Sequence, residues 1–254
     1  MSIEYDSFKN ERKKEIYKQG ASLEFEKITQ EWFEQSVKYK YSYNFEYLGR
    51  PIIQYPQDII ATQEIIYKVK PDLIIETGIA HGGSLISWAS HLCLIDIAEG
   101  LDPKKSGRKV LGIDIDIRKH NREAIESHPF NFKIDMIEGS SIDKTIVNSV
   151  KEYSKDFKKI MLLLDSNHSH DHVKGELDYY ANLVTKNSYC IVYDTCIEKL
   201  KKGTFDDRPW DVGNNAFTAV KEWLINNSEF EVDKEIDNKL MISVAPSGYV
   251  KRIK

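Results

Sequence analysis

The chain has 254 residues, 41% of them apolar and 30% charged, with a formal net charge of −4. That is enough chain to bury one sizeable core, and the balance of residue types excludes an intrinsically disordered segment. The slight acidity, with lysines interspersed among acids, leaves no basic footprint and argues against a nucleic-acid partner.

Met1 to Lys18 is charged throughout and lacks the apolar core of a secretion signal. Helix-like spacing with many charges runs from Ser7 to Lys38, and the aromatic-rich, irregular stretch Tyr39 to Tyr55 predicts a loop. Pro56 and Asp58 open a further helical pattern through Ile59, Ile60, Ile65, Ile66 and Val69, which stops before Pro71. Short apolar runs then alternate with helix-length stretches: Leu73–Glu76, Val110–Ile113, Phe132–Ile137, Ile160–Leu164 and Tyr189–Tyr193. Such alternation predicts an α/β fold with a parallel sheet covered on both faces, whose ligands bind beyond the carboxyl ends of the strands. Ile79 to Ala98 is apolar, but His81, His91 and Asp96 interrupt it, so it reads as a buried helix and not as a transmembrane segment. Phe230–Val232 and Leu240–Val244, separated by Asp233 to Lys239, predict an edge hairpin, and Lys251, Arg252 and Lys254 a solvated tail. No repeat or linker divides the chain. Residues 1–56 are expected to form N-terminal helices and a substrate-side loop, and residues 57–254 a Rossmann-like core in the same domain. Cys93, Cys190 and Cys196 have no paired spacing, as in a reduced cytoplasmic protein.

Chemistry is expected at the strand ends. The first strand runs into Glu76-Thr77-Gly78 and then His81-Gly82-Gly83-Ser84, a glycine-rich turn at a helix start that suits a nucleoside-type cofactor. The second ends at Asp114, where a carboxylate commonly holds ribose hydroxyls. Ser140 and Ser141 follow the third strand, Asp165-Ser166-Asn167-His168 the fourth and Asp194-Thr195 the fifth. Asp116 and Asp143 are expected as helix N-caps. The run His168-Ser169-His170-Asp171-His172 is one residue short of a His-x-His-x-Asp-His zinc motif and has no histidine after it, so zinc is not favoured. Asp165 and Asp194 end neighbouring strands and suit a hard cation such as Mg²⁺, with His168 placed to act as general base. For His170 and His172 the expected role is capping or a hydrogen-bonded surface imidazole.

Taken with Gly49-Arg50-Pro51-Ile52-Ile53-Gln54 and Arg208-Pro209-Trp210, these segments make the chain similar to class I S-adenosylmethionine-dependent methyltransferases. Within them it resembles the cephalosporin hydroxylase-like, or rhamnosyl O-methyltransferase-like, family from about Tyr43 to Leu224. The resemblance implies a Rossmann-like sheet, mostly parallel, whose last strand is antiparallel. It implies methionine binding near Glu76, Gly78 and Gly82, ribose at Asp114, and adenine near Ser140, Ser141 and Asp143; Gln54, His81, Ser84 and Asp165 join this cofactor-side set. It further implies Mg²⁺ on Asp165 and Asp194, with Thr195, Glu198 or water as a third ligand. O-methylation of a sugar hydroxyl would follow, on a glycan, glycolipid, nucleotide-sugar or glycosylated metabolite. The loop Lys201 to Asn215 is long enough for a lid or sugar platform, and a homo-oligomer is compatible with the sequence. A non-catalytic S-adenosylmethionine-binding protein would not need Asp165, His168 and Asp194 together. A dinucleotide oxidoreductase would want Gly-x-Gly-x-x-Gly after the first strand, and the glycines here do not fit.

Overall fold

A computed structural model describes residues 3–254. Two helices lead, α1 (Ile3–Gly20) and α2 (Leu23–Lys38). The Ser22 hydroxyl caps α2 by accepting from the Phe25 amide at 3.2 Å. Helix α2 buries Phe33 against Tyr55, and Ser36 Oγ lies 2.6 Å from the Tyr55 hydroxyl. The expected loop from Tyr39 to Tyr55 is instead partly ordered into an antiparallel pair, β1 (Phe45–Tyr47) and β2 (Arg50–Ile52). Leu48 and Gly49 both have positive φ, 46° and 83°, which gives the two-residue turn whose twist matches a hairpin.

The core follows as α3 (Pro56–Val69), β3 (Leu73–Thr77), α4 (Gly83–Ala98), β4 (Lys109–Asp114), α5 (Lys119–Glu126), β5 (Ile134–Glu138), α6 (Lys144–Ser154), β6 (Ile160–Leu164), α7 (His170–Tyr180) and β7 (Tyr189–Val192). It ends with α8 (Ala216–Trp223), β8 (Phe230–Val232), α9 (Lys234–Leu240) and β9 (Tyr249–Arg252). The seven-stranded sheet has the order β5-β4-β3-β6-β7-β9-β8. Strands β3 to β7 pair in parallel, whereas β9 is antiparallel to both β7 and β8. Every residue of β3, β6 and β7 is buried, with one apolar cluster on each sheet face. Each leucine or isoleucine so buried contributes roughly 1.5–3 kcal/mol, and this explains why runs of such residues specify the central strands.

The edge hairpin exists, but its second strand is Tyr249–Arg252 and not Leu240–Val244. The Val244 amide, which a ladder would need, donates to Asp58 Oδ2 at 2.9 Å, and Asp233 to Leu240 winds into α9 under an Asp233 cap. Lys251 and Arg252 therefore lie in a paired strand, not in a solvated tail. Two smaller expectations also shift. The third parallel strand starts at Ile134 after a short 3₁₀ turn, and the cap position of α5 is Arg118 and not Asp116, whose amide donates to Asp114 Oδ1 at 3.1 Å. Asp143 does cap α6, accepting from the Thr145 and Ile146 amides. No described helix is long and apolar enough to cross a membrane.

Candidate active site

The loops after β3, β6 and β7 meet at the carboxyl edge of the sheet. Gly78 has φ +91°, its amide donates to the Ile113 carbonyl at 2.8 Å, and a Cβ there would stand 2.0 Å from the Asp165 carbonyl oxygen. Only glycine allows that approach. Ala80, with φ 45°, and Asp194, with φ 56°, hold left-handed conformations that strain a side-chain-bearing residue, and both border the same cavity. The Asp114 carboxylate accepts from the Ile79 amide at 2.7 Å and the Ala80 amide at 3.3 Å, so it ties the glycine loop to β4. Arg50 donates to the His81 carbonyl at 2.9 and 2.7 Å, and buried Asn121 donates to the Ala80 carbonyl at 2.8 Å. Asn121 was missed in the sequence because a lone asparagine in an amphipathic helix carries no signal of its own.

A cavity of about 700 Å³ opens here. Gln54, Gly78, His81 and Ser84 line one side; Asp165, His168 and Asp194 line its floor, and α2 and the 201–210 loop close the rest. The Gln54 side-chain amide donates to Asp165 Oδ2 at 3.0 Å, leaving its own oxygen buried and unpaired. Glu76, Gly82, Asp114, Ser140, Ser141 and Thr195 lie outside the cavity lining. Ser141 is buried, and its hydroxyl is engaged by His172 and Glu176.

Asp165, His168 and Asp194 each offer a ligand atom, and these atoms lie within 4.8 Å of one another. His168 Nε2 is 3.0 Å from Asp194 Oδ2, and its ring meets Trp210 edge-on at 4.7 Å between centroids. No lysine or arginine among the described residues pairs with either carboxylate. Burial, and then the negative charges of Asp194 and Glu76, push the Asp165 carboxyl well above the usual range. Glu76, 1% exposed, has neither oxygen in a hydrogen bond of good geometry; burial raises its pKa to about 8, partly offset by the nearby Ser84 and Trp88. The expected third ligands are otherwise occupied. The Thr195 hydroxyl is fully buried and donates to the Pro246 carbonyl at 2.7 Å, while Glu198 accepts from Gly213 and Asn215, which leaves water from the expected set. His170 is a hydrogen-bonded imidazole, 2.8 Å from Thr218 Oγ1 and 3.2 Å from Glu222.

The sheet order, the glycine turn and the strand-end carboxylates together define a Rossmann-like methyltransferase. The sequence profile of the Rhamnosyl O-methyltransferase/CmcI family matches residues 39–253, and the chain belongs to that family. It is an S-adenosylmethionine-dependent O-methyltransferase. A rhamnosyl O-methyltransferase of Mycobacterium tuberculosis (strain ATCC 25618 / H37Rv) is 26% identical over 211 residues, covering 81% of this chain and 77% of that protein. One from Mycobacterium leprae (strain TN) is 27% identical over 150 residues, 59% of each chain. Among solved structures, CmcI with Mg-SAM shares the fold at a TM-score of 0.56 and 16% identity, covering 84% of this chain and 78% of that one. An apo structure of CmcI aligns at a TM-score of 0.54 and 17% identity, over 84% and 77% of the two chains.

Proposed function

We propose that the chain transfers the methyl group of S-adenosylmethionine to a sugar hydroxyl, with Mg²⁺ held by Asp165 and Asp194. The observation that carries this reading is the group Asp165, His168 and Asp194 on the floor of the cavity. Two carboxylates without a lysine or arginine partner, one of them raised in pKa by burial and then by the charge of the other, are an arrangement that a bound cation relieves. Glu76 supports the cofactor on a similar argument: burial holds its carboxyl above the usual range, and the positive charge of the methionine portion nearby would favour its ionised form. The likeness to rhamnosyl O-methyltransferases supports a sugar acceptor, and the CmcI structure with Mg-SAM supports the metal.

When bound, S-adenosylmethionine supplies an electrophilic methyl and Mg²⁺ supplies Lewis acidity at the attacked hydroxyl. The protein supplies the rest. With its proton on Nε2, His168 donates to Asp194 and keeps the Nδ1 lone pair free to accept the acceptor's proton. Asp194 then stabilises the imidazolium, as the carboxylate does in a hydrolase triad. Trp210, edge-on to the imidazole, limits its rotation. Gly78 and Ala80 set the glycine loop, and Phe205 and Trp210 wall the acceptor side and exclude water.

The test is calorimetric titration of S-adenosylmethionine with and without Mg²⁺, followed by methyl-transfer assays on free, nucleotide-linked and lipid-linked deoxysugars. Binding and turnover on a sugar are expected, with turnover lost on chelation. Methylation of non-sugar alcohols alone would overturn the sugar assignment, and turnover indifferent to chelator would overturn the metal.

A further inference from the structure

One buried polar cluster is not used by the chemistry above. Glu176, 0% exposed, sits four residues after His172, so both project from one face of α7. Glu176 Oε1 accepts from Ser141 Oγ at 2.5 Å and from Ser166 Oγ at 2.7 Å. His172 Nε2 lies 3.0 Å from Ser141 Oγ, 3.2 Å from Ser166 Oγ and 3.4 Å from Glu176 Oε1. Two loops thus end on one carboxylate oxygen.

Those loops are far apart in the sheet. Ser141 follows β5 and Ser166 follows β6, and both β4 and β3 lie between these strands. Three strand spacings amount to roughly 14 Å, so the loops cross the carboxyl edge to meet on α7. Tyr180, also on α7, donates its hydroxyl to the Ser141 carbonyl. A Cβ on Gly175 would stand 3.2 Å from Ile142, which shows how closely the helix is pressed to the first loop. Ser166 lines the cavity beside Asp165, whereas Ser141 lies outside the lining, so the clamp ties the cavity wall to the loop after β5.

Stability alone does not explain the choice of residues. Glu176 Oε2 is buried without a partner, and a carboxylate in that position costs more than an apolar side chain of similar size. A polar network retained at such cost fixes one arrangement over alternatives.

We propose that Glu176 and His172 are positioning residues that lock the loop after β5 to the loop after β6 and thereby hold Asp165 and Ser166 in place on the cavity wall. Neither lines the cavity. Ser141 belongs to the clamp through its hydroxyl. What the cleft holds rests on the S-adenosylmethionine reading, whereas the coupling of the loops does not.

The experiment combines amide hydrogen exchange with calorimetric binding of S-adenosylmethionine in the full chain, comparing wild type with Ser141→Ala, Ser166→Ala, Glu176→Ala and Glu176→Gln. In Ser141→Ala, exchange is expected to rise across residues 165–169 as well as 139–143, and in Ser166→Ala the reverse crossing is expected. Glu176→Ala should weaken S-adenosylmethionine by about ten-fold while kcat at saturation changes little, and Glu176→Gln, which keeps an acceptor of the same shape, should recover most of the loss. Exchange that rises only in the mutated loop, or an unchanged affinity in a folded Glu176→Ala, overturns the proposal. If Glu176→Ala does not fold, the two serine variants decide it through exchange alone. A wild type that binds no S-adenosylmethionine would end the cofactor reading, and the crossed exchange would still decide the clamp.

Discussion

Replacing Gly78 by alanine tests whether the glycine loop and the Asp165 loop are one mechanical unit. Two costs add. A side-chain-bearing residue held at φ +91° is strained by roughly 1–3 kcal/mol. The new Cβ would also stand 2.0 Å from the Asp165 carbonyl oxygen, a backbone atom fixed by the Asp165 amide bond to Thr77 at 2.9 Å, and such overpacking costs roughly 1–3 kcal/mol. The sum is about 4 kcal/mol, a fall in Tm of about 10 °C for a domain of this length. Gly100→Ala is the matched control: φ is +73° there, and a Cβ would meet nothing within 4 Å, so only the strain is incurred. Thermal and denaturant unfolding of both variants should show Gly78→Ala the less stable by roughly 1–3 kcal/mol. Calorimetry should show S-adenosylmethionine binding lost in Gly78→Ala alone, because the displaced Asp165 backbone carries its carboxylate with it. Equal losses in the two variants, with cofactor affinity intact in Gly78→Ala, would refute the reasoning.

Buried Asp58 accepts from Ser243, Tyr249 and the Val244 amide, yet burial raises its pKa from 3.8 to about 6. The folded state therefore holds the extra proton, and stability falls as pH rises from about 4 to about 6, by roughly 3 kcal/mol in total, then levels off. Denaturant midpoints across that window, wild type minus Asp58→Asn, should isolate this slope on top of a pH-independent offset; a flat difference would contradict it. His168→Ala should lower turnover by roughly 10²- to 10⁴-fold and leave S-adenosylmethionine affinity nearly unchanged, whereas lost affinity would give the imidazole a structural role. Trp210→Ala should slow turnover by up to about ten-fold, since an edge-on aromatic contact contributes roughly 0.5–1.5 kcal/mol, and Trp210→Phe should restore most of it. Full activity in Trp210→Ala would remove the indole from positioning His168.

The parallel core was legible because β3, β6 and β7 are buried along their whole length and so read as short unbroken apolar runs. Asp165 and Asp194 could be chosen from their places at neighbouring strand ends. The edge of the sheet was not legible. Leu240 to Val244 looks like a strand, but a buried acid 186 residues before Val244 captures its backbone, while the true strand carries Lys251 and Arg252 beside buried Tyr249 and Val250. Contacts between side chains from distant segments were equally hidden. No spacing rule shows that Thr195 turns to Pro246, that Gln54 reaches Asp165, or that Ser141 is already engaged by Glu176.

The placement of β9 between β7 and β8 also sets an order of assembly. β8 has no partner until β9 is seated, although it precedes β9 in the chain, and β7, which leads directly into Asp194, has a free outer edge for just as long. The pairing spans about 60 residues, so its loop-closure cost falls late on the folding path, after the locally wired parallel strands have formed. Until then the half-built active site sits beside an open sheet edge, which makes this chain most prone to aggregate at the stage just before it can bind its cofactor.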